Sequence, residues 1–224
     1  MVNANLAKPS LLSTYESERR PVAQHVVAID QFVAGNDLKD EPLMSLIREN
    51  QAFTTGFAIS YRTGQGHTEN LTSPQPGDRA PDFKVVVHAT GKKARLYDLW
   101  HTKSSWCFHL LILAGDLGHT ASRVAEALEL YREKDWSWLQ IHIITTTTQR
   151  AVIESATSTL EQQALLIDKI NQAQCHHGYS VKDDDAPVAV VVRPDLHIGY
   201  IGTLSSMENY FANFINLEHK GWNV

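Results

Sequence analysis

Two hydrophobic periods divide this chain. Over its first third, apolar residues return every three or four positions: Val22, Val26, Ile29 and Val33 form one stripe, and Leu43, Leu46 and Ile47 form another that should face inward. Both stripes predict amphipathic helices. Ser10, after Pro9, can cap the first; Ser13 and Glu16 have capping-box spacing, and Pro21 should kink the helix or start a second segment. Gly35-Asn36 ends it, and the next helix is expected from a cap at Asp37 or Asp40 to about Phe53. Two such helices cannot bury their apolar faces by themselves, so they need something to dock on.

From Gly56 the period shortens. Residues 56–61 read as a short strand, and the Gly-, Ser-, Pro- and Asn-containing sequence up to Gly77 reads as a loop. Beyond it strands are expected at 83–88, 108–114, 139–145, 188–192 and 197–201, and helices around Val124, Leu128 and Tyr131, over 153–170, and over 207–215. Leu110-Leu-Ile-Leu113 and Val188-Ala-Val-Val-Val192 are continuous apolar runs, as strands covered on both faces require. Pro194-Asp195 is the turn between the last two strands. This order predicts an α/β, thioredoxin-like fold over 76–224, a helical segment over 1–55, and a strand and linker over 56–75. In that topology the proline before the penultimate strand, here Pro187, is expected to follow a cis bond.

Composition narrows the function. Twenty Lys and Arg against 25 Asp and Glu give a net charge of −5, too acidic for a broad phosphate-binding surface, so no nucleic-acid partner is expected. Cys107 and Cys175 form no C-x-x-C pair and read as reduced thiols. No apolar run reaches signal-peptide or membrane-spanning length, which points to a soluble cytoplasmic protein without a membrane partner. Gly64-Gln65-Gly66 is followed by Glu69 where a dinucleotide fingerprint needs a third glycine. His176-His177 lacks a third ligand, and Asp183-Asp184-Asp185 lacks the alternate spacing of a calcium loop, so no metal is expected.

Several strings carry a resemblance. Leu11-Leu12, Tyr15-Glu16 and Glu18-Arg19-Arg20-Pro21-Val22-Ala23-Gln24 resemble the segment that closes the flavin domain of FAD-dependent aromatic hydroxylases. Residues 56–61, Pro76-Gly77-Asp78-Arg79-Ala80-Pro81-Asp82, Ala114-Gly115-Asp116, Val191-Val192-Arg193-Pro194-Asp195 and Ile198-Gly199 are similar to the phenol hydroxylase branch. The resemblance implies that family's C-terminal thioredoxin-like domain, which contributes dimer contacts. The family's flavin-binding motifs match no position here. No catalytic or flavin-binding residue is carried over, no cofactor is expected, and the chain should not be a monooxygenase by itself. The turn where thioredoxins hold their cysteines reads Gly115-Asp116-Leu117-Gly118. Met1 suggests a stand-alone chain, and helices without a flavin domain to dock on suggest a homodimer.

Histidine suits proton transfer near neutral pH, and His109 and His142 each sit inside an apolar strand, on strands expected to be parallel neighbours. They are the candidate catalytic pair; hydrogen-bonded core residues is the structural alternative. Tyr61, Trp100, His177 and Tyr179 are the candidate substrate-binding residues. Tyr97, Trp100, Trp106, Phe108, Trp136, Trp138, Tyr200, Tyr210 and Phe211 suit either an aromatic pocket or a hydrophobic interface. The leading expectation is a cofactor-independent isomerisation, cyclisation or cycloaddition of an aromatic or polyketide-like intermediate in secondary metabolism. The alternative is a non-catalytic dimerisation or accessory subunit of a separate FAD monooxygenase.

Overall fold

A computed structural model of the chain describes residues 7–36, 40–62, 73–100, 107–132, 136, 138–160, 164–168, 174–181 and 186–215. Asp183-Asp184-Asp185, Gly64-Gln65-Gly66 and Trp106 lie outside the described residues.

The first helix, α1, spans Leu11–Asn36 and runs through Pro21 without restarting. Ser13 lies inside it, where its hydroxyl donates to the Ser10 carbonyl at 2.7 Å, and Glu16 pairs with Arg20, so the capping box does not form. The second predicted helix is two: α2, Asp40–Glu49, and a single turn α3, Gln51–Thr54. Between them the Asn50 side-chain amide donates to the Leu46 carbonyl, an interaction that competes with helix continuation. Leu43 and Leu46 are half-buried, whereas Ile47, expected inward, is 49% exposed. Residues 56–61 form no strand; Ser60 makes one isolated bridge with Asp78. That bridge requires Gly77, whose φ is +97° and where a Cβ would lie 2.7 Å from the Arg62 nitrogen.

Next come β1 (Lys84–Val87), β2 (Lys93–Arg95), α4 (Leu96–Trp100), β3 (Phe108–Gly115), α5 (Leu117–Arg132), β4 (Leu139–Thr145), α6 (Arg150–Leu160), β5 (Ala164–Asp168) and α7 (Gln174–Gly178). The chain then forms β6 (Val188–Val192), β7 (Ile198–Thr203), a 3-10 turn at Leu204–Ser206 and α8 (Met207–Ala212). The seven strands lie in the order β2-β1-β5-β4-β3-β6-β7, with β3–β4 and β4–β5 parallel and the other pairs antiparallel.

Because side chains alternate along a strand, the central β3 feeds two cores. Leu110 and Ile112 pack with Ile143, Val191, Met207 and Phe211. Leu111 and Leu113 pack on the other face with Ile144, Val190, Leu96, Trp100, Cys175 and Tyr179.

Further expectations need correction. The 153–170 helix is α6 followed by strand β5, which pairs with β4 and β1 in the sheet. The short β2 and α4 were not read from the sequence. No peptide bond among the described residues is cis, so Pro187 is trans. No helix among the described residues is long and apolar enough to cross a membrane.

Candidate functional site

Polar chemistry gathers in three places. The first is the face shared by β3 and β4. The register pairs Leu111 with His142, so His109, two residues before Leu111, points to the same side of the sheet. Both imidazoles are buried, at 3% and 6% exposure, and His109 Nδ1 lies 3.3 Å from His142 Nε2, one nitrogen donating to the other. Trp100 from α4 stacks on His109 at 5.6 Å, and Tyr97 stacks on Trp100 at 5.1 Å. The Arg79 guanidinium lies over both Tyr97 and the exposed Phe57, so one column of rings runs from the surface to His142. Two imidazoles joined in this way can pass a proton between them.

Tyr179 lines the same core, its ring edge-on to Phe83 at 5.9 Å. Burial raises its hydroxyl well above the ordinary tyrosine value, with Cys175, Tyr97 and Asp82 acting in the same direction. His177 is on the exposed side of α7, away from these groups, and not on a loop as expected.

The second place is a buried Asp168–His176 pair that sequence reasoning missed. The Asp168 carboxylate accepts the backbone N–H groups of Cys175 and His176 and, at 2.8 Å, the His176 Nδ1–H. His176 Nε2 accepts the Gly115 N–H at 3.0 Å, which fixes the neutral tautomer with its proton on Nδ1. Burial by itself would raise the Asp168 carboxyl, but the hydrogen bonds from His176 and Cys175 outweigh it and hold the group below its ordinary value. This is an acid–histidine pair without a free basic nitrogen, and its work is to tie α7 and β5 to β3. The signal lay in the acid closing the Ala-Leu-Leu-Ile run, hidden while that run was read as helix.

The third place joins the helical segment to the α/β domain, and Tyr61 belongs here rather than with the histidines. Arg193 grips Glu18 of α1 through both nitrogens at 2.6 and 2.8 Å and also pairs with Asp195 at 2.9 Å. The guanidinium groups of Arg19 and Arg193 both lie over the Tyr61 ring, which packs against His197 at 4.3 Å in a tilted arrangement. Asp78 is buried and accepts from Ser60 and the Gln75 N–H while pairing with Arg62. Burial would raise the Asp195 carboxyl, yet His197 and Arg193 hold it well below the carboxylate range. The strings around residues 18–20, 77–79 and 193–195, far apart in sequence, therefore meet at one clasp.

At the turn from β3 into α5, the Asp116 carboxylate accepts the Gly118 N–H at 2.9 Å and the Thr147 hydroxyl at 2.7 Å. A carboxylate already occupies this helix N-terminus, and no thiol is present there, so the turn fits neither disulfide exchange nor the pyrophosphate of a flavin nucleotide. Among the described residues no three His, Cys, Asp or Glu side chains converge on a metal position.

The sheet order, with helices on both faces, is that of a thioredoxin-like protein. A domain of a possible thiol-disulfide isomerase from Cytophaga hutchinsonii shares it with a TM-score of 0.51 over 63% of this chain and 93% of that chain, at 14% identity, which speaks for fold alone. Residues 45–219 match the family described as phenol hydroxylase, C-terminal dimerisation domain, and the chain belongs to that family. It is 29% identical to the FAD-dependent monooxygenase ankC of Aspergillus thermomutatus over 236 residues, covering 89% of this chain and 38% of that protein. It is 30% identical to the phenol 2-monooxygenase fsqG of Aspergillus fumigatus over 151 residues, covering 61% of this chain and 24% of that protein. The chain thus spans less than half the length of either relative.

Proposed function

We propose that this chain is an association module: the thioredoxin-like domain seats a helical arm, and a second copy of the chain covers the arm's apolar surface. One observation carries this. The large hydrophobic side chains exposed among the described residues are Leu12, Tyr15, Val26, Val27, Phe32, Met44, Ile47 and Phe57, and every one of them precedes the α/β domain. An apolar surface confined to one segment marks an interaction site, and the family's description as a dimerisation domain supports a like partner. The test is sedimentation of the whole chain at micromolar concentration. A dimer is expected, reduced to monomer by Val27→Glu with Phe32→Glu at unchanged circular dichroism. A wild-type chain that sediments as a monomer sinks the reading, and a dimer that forms only with an added FAD monooxygenase shifts it to an accessory subunit.

A second reading rests on the 3.3 Å contact between His109 and His142. Here the pair moves a proton on a phenolic or polyketide-like compound, without a cofactor, in an isomerisation or ring closure, and holding the reactive conformer supplies the remaining acceleration. Purified protein added to an extract that accumulates such an intermediate should convert it, and His142→Gln should abolish the conversion. Full turnover by that variant removes the histidines from the chemistry.

A further inference from the structure

One charge on the arm stands apart from the rest. On α1, Glu16 pairs with Arg20, Glu18 with Arg193 and Arg19 with Asp195, whereas Asp30 is exposed and has no ion-pair partner among the described residues. The half-buried face of the helix, with Glu18, Val22, His25, Ile29 and Val33, is the face that docks on the rest of the chain. Beside it runs a second stripe, in which Leu12, Tyr15, Arg19, Ala23, Val26 and Asp30 follow at spacings of three, four, four, three and four. At 3.6 residues per turn these positions fall within about 80° of arc. All of them are exposed, Leu12 to 64%, Tyr15 to 69% and Val26 to 43%. The stripe is an apolar seam that carries one cation and one anion, about 16 Å apart along the axis.

A seam of this kind is complementary to its own reverse. When a second copy is laid antiparallel so that Arg19 faces Asp30 of that copy, the two-fold axis falls midway between residues 24 and 25. About that same point Ala23 faces Val26 and Tyr15 faces the exposed Ala34, so a small side chain meets a larger one in each apolar pair. The contact is isologous and closes at two copies. A parallel alignment instead sets Arg19 on Arg19 and Asp30 on Asp30, which like-charge repulsion disfavours. Arg19 can serve both the clasp and the seam. Its guanidinium is 3.8 Å from Asp195, beyond hydrogen-bond distance, its side chain is 44% exposed, and it lies over the ring of Tyr15, the preceding seam residue.

We propose that α1 packs antiparallel on α1 of a second copy along this seam, and that two Arg19–Asp30 pairs fix the register; this rests on the reading of the chain as a self-associating module. Exposed ion pairs add little affinity, so apolar burial holds the contact and the charges select its alignment. The test exchanges charge between whole chains. Arg19→Glu sets two acids face to face and Asp30→Arg sets two guanidiniums face to face, so each variant alone should dimerise about ten-fold more weakly than wild type in sedimentation. Mixed in equal amounts, the two variants recover opposite charges at both positions, and a heterodimer as tight as the wild-type dimer should form. At about 1 M NaCl the weakness of each single variant should fade. If Arg19→Glu fails to fold because Arg19 also touches the clasp, Asp30→Arg decides: it should weaken the dimer, and Asp30→Asn should weaken it less. A mixture no tighter than its components, or an Asp30→Arg dimer as tight as wild type, overturns the seam and leaves the association reading standing. A monomeric wild-type chain overturns both.

Discussion

Arg193 shows how much one side chain organises. Its guanidinium sits between Glu18 of the arm and Asp195 of its own hairpin, and its flank packs against Tyr61. Burial by itself would lower its pKa, but the two carboxylates more than reverse that and raise it. Glu18→Gln leaves Arg193 with Asp195 alone; losing one charge-assisted partner should cost about 1.5–3 kcal/mol in urea unfolding. Arg193→Met leaves Glu18 without this partner and Asp195 with Arg19 and His197 alone, and should cost more than Glu18→Gln. The acids also set a pH dependence. Asp168 and Asp195 both titrate below their ordinary 3.8 when folded, so the unfolded chain takes up protons first as pH falls. Their contribution is complete above about pH 4 and is lost as pH drops through their folded values. The urea midpoint should therefore fall as pH drops below about 4, and Asp168→Asn should flatten part of that slope. A midpoint independent of pH in this window contradicts the assignment.

At the level of elements, what could be read from the sequence depended on whether period and length agreed. Strands β3 and β6 were legible because unbroken apolar runs fit no exposed helix, β4 because its apolar and polar positions alternate up to His142, and the two histidines were placed on neighbouring strands by the parallel pairing. β5 was hidden because Ile153, Ala156, Leu160, Ala164 and Ile167 keep spacings of three and four, extending the α6 pattern straight through the strand. With β5 unseen, Asp168 had no place opposite His176. β2 was too short and polar to show a period, and Tyr61's partners, Arg19 on one side of the sequence and Arg193 and His197 on the other, come from two distant segments that only the fold assembles. The Asp168–His176–Gly115 link makes its own prediction. His176→Leu leaves a buried carboxylate short of a donor and a buried N–H without an acceptor, and should cost about 3–5 kcal/mol. His177→Ala, one position on and exposed, should stay within about 0.5 kcal/mol. Equal losses in thermal unfolding would mean that the link is not what ties α7 to the sheet.

For the whole molecule, the arm is an unusual element to leave in water. Twenty-six residues of α1 span about 39 Å at 1.5 Å per residue, yet none of them is fully buried. The arm is fixed where it leaves and where it returns: Lys8 bonds to the carbonyls of Phe214 and Ala212, Glu18 is held by Arg193, and Phe57 lies on Arg79. Between these points the His25 ring lies edge-on to Phe53 at 4.4 Å, closing α1 against α3. A surface so placed is presented rather than hidden. If a second copy covers it, the attraction is mainly apolar burial, and the clasp that aims the arm is largely shielded from ions. Raising salt from about 0.1 M to about 1 M, which shortens the screening length to roughly 3 Å, should then leave the dimer intact in sedimentation, and sulfate should tighten it. An association built on exposed pairs such as Glu16–Arg20 and Arg48–Glu41 would weaken over the same range. Arg193→Met separates the two contributions further. It should loosen the dimer by misaiming an arm whose apolar surface is unchanged, so a variant that is less stable yet dimerises as tightly as wild type would show that the clasp serves the fold alone.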